Sequence, residues 1–275
     1  MSKIWNLILR FSEDIDLAID RSVFGLEGDL TKKQLKKLRK ASSLFVKDVF
    51  TADLQRATQK NGLADHCTIT ADPNGEGDAT YPEPRKVHIA YESVFGNAAP
   101  DYLQSEVLLE IGARSLFEPT AKAKVKSLIS DHSSVNTTVA DVDIISAVPE
   151  KTFLEKAFLL HELFTTDGCR TANRKSRHLY DLMKMMDEPF AQKAIRDDEL
   201  WQTIHHHREL FTSVKDVDYT PDIRKRIVLL PPEEEQKVWQ DDYKAMQESM
   251  IYGEHITFEQ LIERIRELQT RFRSI

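Results

Sequence analysis

Arg10-Phe11-Ser12-Glu13-Asp14-Ile15-Asp16-Leu17-Ala18-Ile19-Asp20 is the stretch on which the reading of this chain turns. Two acids stand two residues apart at the start of an apolar run, and residues 14–20 have the character of a strand. Side chains on a strand alternate between its faces, so Asp14 and Asp16 share one face and Ile15, Leu17 and Ile19 share the other. Adjacent carboxylates on a rigid strand repel each other and are costly to desolvate, and a divalent cation between them offsets both effects. Mg²⁺ is usually held by one or two carboxylates, with water and substrate phosphates completing its shell. That is the chemistry of phosphoryl and nucleotidyl transfer. Alone, Asp-x-Asp is a weak signal, equally compatible with an edge strand carrying two solvated acids.

Outward from this stretch, the pattern is mixed and then helical. Residues 2–9 read as a short helix. Thr31 suits the N-cap of a long helix running to about Lys60, stopped by Asn61-Gly62, with Leu35, Leu38, Leu44, Phe45, Val49 and Leu54 as its core stripe. Residues 66–71, Lys86–Tyr91, Ser105–Ala113, Lys124–Ser130 and Val142–Ala147 read as strands, and Asp72–Asp78 as a turn or loop. From Pro149 the periodicity becomes helical, over 150–166, 173–187, 189–210 and 257–273. Leu230-Pro231-Pro232 before Glu233–Glu235 marks a linker or a helix start.

Composition excludes several classes. No apolar run reaches the length of a membrane span. Asn6 and Arg10 interrupt the N-terminal apolar stretch, which is not that of a signal peptide. Cys67 and Cys169 give neither a disulfide framework nor a zinc motif, so a reducing cytoplasm is expected. A net charge of −7 argues against indiscriminate nucleic-acid binding. Basic residues nonetheless cluster at Lys32–Lys40, Lys122–Lys126, Arg170–Arg177 and Arg224–Arg226, and most of these read as solvated faces. His205-His206-His207 does not read as a metal site, because consecutive helical side chains point about 100° apart. Trp201, Trp239 and Tyr243 suit either a core or a base-stacking surface.

Residues 10–17 resemble the metal-binding motif of the AbiEii/AbiGii-type nucleotidyltransferase toxins, within the polymerase-beta-like nucleotidyltransferase superfamily. The resemblance continues in Glu106-Val107-Leu108-Leu109-Glu110-Ile111, in Leu154-Glu155-Lys156-Ala157-Phe158 and in Arg174-Lys175-Ser176-Arg177-His178-Leu179-Tyr180-Asp181-Leu182. It implies an α+β fold: a mixed-sheet nucleotidyltransferase core over residues 1–148, then a helical domain over 149–275. It also implies that Asp14, Asp16 and Glu110 hold Mg²⁺ or Mn²⁺, and that Lys156 neutralises nucleotide phosphates. Asp181 would orient that lysine or assist deprotonation of the attacking hydroxyl. Arg174 and Arg177 would line the entrance for phosphates or RNA.

Each residue also has a plainer reading. Glu110 suits a salt bridge to Lys86 or Arg114. Lys156 suits a snorkelling lysine, and Asp181 an ordinary helical pair with Arg177. Ser12 suits a phosphate contact or a cap before the strand, and Arg10 a triphosphate contact or a pair with Glu13. The implied reaction passes a nucleotidyl group from an NTP to an acceptor hydroxyl, on tRNA by resemblance, with a nearby-encoded antitoxin as partner. Relatives carry a Gly-Gly-Thr or Gly-Ser element about ten residues before the paired acids, whereas this sequence starts in the helix that follows it. The alternative is therefore an inactive, shortened remnant that binds RNA or protein. A third reading keeps the metal site and transfers to a small molecule or a protein side chain.

Overall fold

The acid-bearing segment forms β1 (Asp14–Ala18), and it lies at one edge of a four-stranded sheet. The computed structural model describes residues 1–12, 14–72, 85–93, 105–127, 141–167 and 172–275. Most of the Asp72–Asp78 loop, together with Glu13, Cys169 and Arg170, lies outside these. Close packing groups the chain into two units, residues 12–117 and a discontinuous unit of residues 1–11 with 118–275.

In the first unit, Thr31 caps α2 (Lys32–Leu44) through a reciprocal box with Gln34. The helix continues through a π-helical segment, Phe45–Phe50, into α3 (Thr51–Lys60). The sheet is completed by β2 (Cys67–Ala71), β3 (Arg85–Tyr91) and β4 (Glu106–Gly112), in the order β1-β4-β3-β2. β1 runs parallel to β4, and the other pairings are antiparallel.

Register sorts the side chains into two faces. Ile69, Val87, Leu109 and Ile111 form one core cluster with Val46, flanked by Phe45, Phe50, Leu54 and Ile19. Ile15 and Leu17 point to this same side, yet they are 46% and 36% exposed. β1 is the edge strand, and the helical cover is centred on the strands beyond it.

In the second unit, α1 is confined to Ser2–Trp5 rather than residues 2–9, because Asn6 turns left-handed at φ 50° and ends it. The chain then extends: Tyr252 donates its N–H to the Leu9 carbonyl at 3.1 Å, and the Phe11 N–H donates to the Met250 carbonyl at 2.7 Å. β5 (Thr120–Val125) pairs with β6 (Val142–Ala147) as an antiparallel ribbon. The strand expected at Lys124–Ser130 begins earlier, with Lys122 and Lys124 on its exposed face, while residues 128–130 lie outside the described residues.

The helices are α4 (Pro149–Phe164), α5 (Ser176–Met185), α6 (Pro189–Arg196), α7 (Asp198–Phe211), α8 (Gln236–Ser249) and α9 (Phe258–Arg273). The single helix expected over 189–210 is broken at Asp197, which turns extended and caps α7 by accepting the Leu200 N–H. Glu233–Glu235 form a 3-10 turn leading into α8. Trp201, Trp239 and Tyr243 are core residues, with Phe158 stacked 4.4 Å from Trp201. The composition change at 148/149 coincides with the start of α4, while Trp5 Nε1 donates to the Ala147 carbonyl at 3.1 Å.

Candidate functional site

The first cluster is the polar face of the sheet. Asp14 and Asp16 both project from β1 on the side away from the core, and Asp16 is the register partner of Glu110 on β4. Glu110 in turn faces Lys86 on β3. The Lys86 ammonium lies 2.9 Å from Glu110 Oε1. The hydrogen bond to Glu110 raises Lys86 above its usual value; burial opposes this, and the charges of Asp14 and Asp72 reinforce it. An apolar run around Glu110 suggests a covered strand, but only Leu109 and Ile111 are buried and Glu110 is half-exposed. Its reason for a partner is therefore charge neutralisation rather than deep burial. Ser12 Oγ donates to the Asp14 carbonyl at 3.5 Å, as a cap before the strand does.

The second cluster surrounds Asp181. α5 buries this carboxylate completely. Arg10 grips it with both arms of the fork, Nε to Oδ1 at 2.7 Å and Nη2 to Oδ2 at 2.8 Å. Its Nη1 donates to the Phe11 carbonyl at 3.0 Å. Lys156, on α4, places its ammonium 3.0 Å from Oδ2. Burial alone would raise the Asp181 carboxyl, but Lys156 and Arg10 hold it far below the usual carboxylate range. Among the described residues, Asp181 is thus partnered by Arg10 and Lys156, while Glu13, the other partner expected for Arg10, lies outside the described residues. Extended pairing of residues 9–11 with Met250–Tyr252 aims Arg10 there.

His178 precedes Asp181 by three residues on α5. Its Nδ1 stands 3.4 Å from the Lys156 ammonium. An ammonium only donates, so Nδ1 accepts and the ring is neutral with its proton on Nε2. Burial and then the Lys156 charge push His178 well below its ordinary value, in keeping with that tautomer.

The third group is the turn before α5. Arg174 adopts φ 60° and Arg177 sits in the first turn of the helix, both half-exposed. Partial burial and the neighbouring Arg177 charge lower the Arg174 guanidinium, with Asp242 opposing. No local sequence signal ties Asp242, midway along α8, to this turn.

The family description "Nucleotidyl transferase AbiEii toxin, Type IV TA system" matches residues 1–264. The chain belongs to the AbiEii family. It is therefore a nucleotidyltransferase of a toxin–antitoxin family whose chemistry uses an NTP. No curated protein and no solved structure matches it.

For an AbiEii protein the donor set on the sheet face is the relevant test for a metal. Among the described residues, no three His, Cys, Asp or Glu side chains converge as a ready-made cage. A Mg²⁺ ion that draws most of its shell from water and phosphates does not require one. The hard oxygens of Asp14 and Asp16, aligned on one face, with Asp14 half-buried and Asp16 exposed, fit that mode of binding. Among the described residues, no helix is long and apolar enough to cross a membrane.

Proposed function

We propose that this AbiEii protein is a cytoplasmic, Mg²⁺-dependent enzyme that transfers a nucleotidyl group from an NTP to a terminal hydroxyl of tRNA, opposed by an antitoxin encoded nearby. The observation that carries the reading is the alignment of Asp14, Asp16 and Glu110 on one open face of the sheet. Three acids on one solvated face are the donor set that a hard cation and a triphosphate share. When bound, the ion supplies the positive charge that draws the acceptor oxygen to phosphorus and steadies the departing pyrophosphate.

The chain's own groups divide the remaining work. Lys156 has three N–H donors; Asp181 and His178 take two, and the third is directed to a phosphate oxygen. Asp181 is held ionised so far below neutrality that it is a poor proton acceptor, which favours orienting Lys156 over deprotonating the hydroxyl. Arg10 serves as the anchor of Asp181, its guanidinium being engaged with protein oxygens. Arg174 and Arg177 bind phosphates of the NTP, and Ser12 shapes the approach to Asp14.

Label transfer tests this. The purified chain is incubated with Mg²⁺, each NTP labelled at the α-phosphorus, and total RNA, beside the Asp14→Ala variant. A labelled band of tRNA size that the variant lacks is expected. Label in protein or in metabolites overturns the acceptor, and equal labelling by Asp14→Ala overturns the role of the acids.

A further inference from the structure

α8 carries none of the motifs that mark the family, yet its Asp242 carboxylate is built into the turn that presents the two arginines. Oδ1 accepts the Arg174 N–H at 2.6 Å. Oδ2 accepts the Ser176 N–H at 3.0 Å and the Ser176 hydroxyl at 2.5 Å. Three donors from one short turn thus converge on a single side chain more than sixty residues away in sequence.

Local chemistry does not hold this turn by itself. Arg174 takes φ 60°, a region that non-glycine residues rarely enter. The residue at the helix boundary, Lys175, makes no side-chain cap, so the first amides of α5 depend on an acceptor from elsewhere. Asp242 is that acceptor. Ser176 is fully buried beneath it, while Arg174 and Arg177 remain half-exposed on the same turn. Two guanidiniums held together at partial burial repel each other, and an oligoanion relieves that repulsion.

We propose that Asp242 is a positioning residue for the triphosphate: by holding the Arg174 and Ser176 amides, it fixes the turn from which Arg174 and Arg177 meet NTP phosphates. This rests on the reading of those two arginines given under the proposed function. Asp242 itself touches no substrate. Its effect is to hold the arginines in the bound arrangement before the NTP arrives, which lowers the cost of ordering them on binding.

The test is calorimetric titration of ATP, GTP, CTP and UTP, each with Mg²⁺, into the native chain, Asp242→Asn, Arg174→Ala and the double variant. Asp242→Asn keeps size and shape but turns an amide donor toward backbone donors. NTP affinity is expected to fall about tenfold in each single variant, one lost charge-assisted contact, and in the double by less than the two losses combined, because only the Arg177 share is then left for Asp242 to support. Melting temperature should stay near native, and the Arg174 and Ser176 amides should exchange faster in Asp242→Asn. Native affinity in Asp242→Asn, or additive losses in the double, overturns the proposal. If Asp242→Asn fails to fold, Ser176→Ala removes one of the three bonds and leaves both amides held. A smaller affinity loss that shrinks in the Arg174→Ala background then supports it, and an additive one overturns it. A native chain that binds no NTP removes the wider functional reading and this proposal with it. Native binding with an unaffected Asp242→Asn removes this proposal alone.

Discussion

Lys86 Nζ lies 2.9 Å from Glu110 Oε1, one strand across from Asp16. The third acid of the row is thus neutralised by a lysine of the same sheet. A cation that recruits Glu110 has to displace that ammonium.

Removing the competitor should therefore favour the ion. Lys86→Met is expected to tighten Mn²⁺ binding about three- to tenfold, read by electron paramagnetic resonance titration, with little change in melting temperature. An exposed pair of this kind contributes only about 0–1 kcal/mol to folding. Unchanged Mn²⁺ affinity would take Glu110 out of the ligand set.

Asp181 behaves differently because it is fully buried between two cations. Asp181→Asn leaves Arg10 and Lys156 facing each other without a counter-charge, which costs about 3–5 kcal/mol. Urea unfolding of the variant should show that loss directly. A stability near native would mean that water already compensates the cluster.

Lys156→Met separates chemistry from folding. Arg10 keeps both of its bonds to Asp181 in that variant, so the carboxylate stays paired. Nucleotide transfer should drop by at least about a hundredfold, as when a group stabilising transition-state charge is removed. The melting temperature should fall far less than in Asp181→Asn. Equal damage to both properties would make Lys156 a structural residue only.

Much of this was legible in the sequence, and the reasons are physical. The period-two alternation at residues 14–20 and the capping signal at Thr31 are local, and both elements form where local chemistry sets them. The long-range pairs were not legible. Nothing near Arg10 in sequence points to Asp181, because the contact depends on residues 9–11 pairing with Met250–Tyr252. The break at Asp197 hid inside an unbroken helical periodicity, since a cap residue and a mid-helix aspartate look alike until the backbone turns. Exposure of Ile15 and Leu17 follows from β1 being an edge, a property of strand order that one strand's pattern does not encode.

A buried histidine, His161, and a half-buried one, His178, give the fold an acid sensitivity. Burial lowers both His161 and His178, and the Lys156 charge adds to the effect at His178. His161 Nδ1 accepts the Val228 N–H at 3.1 Å, which fixes its neutral form. Folded-state values below the ordinary 6.5 mean that the unfolded chain binds more protons below that pH. Stability is then full above it and is lost as pH falls toward the folded-state values, by up to about 1.4 kcal/mol per pH unit for each histidine. Urea unfolding at stepped pH from neutrality downward should show the slope. His178→Gln, whose carbonyl still accepts from Lys156, should flatten it, and an unchanged slope would exclude His178 as a source.

Arg10 joins the beginning of the chain to residues near its far end, through Asp181 and through the strand-like pairing at Met250–Tyr252. Contacts so distant in sequence close late in folding, because the loop between them must be ordered first. During synthesis, residue 10 emerges long before its partners do. A partly made chain therefore has Arg10 but not the Met250–Tyr252 segment that aims it at Asp181. The surroundings of Lys156 are complete only once residues 250–252 have been made and have paired with residues 9–11.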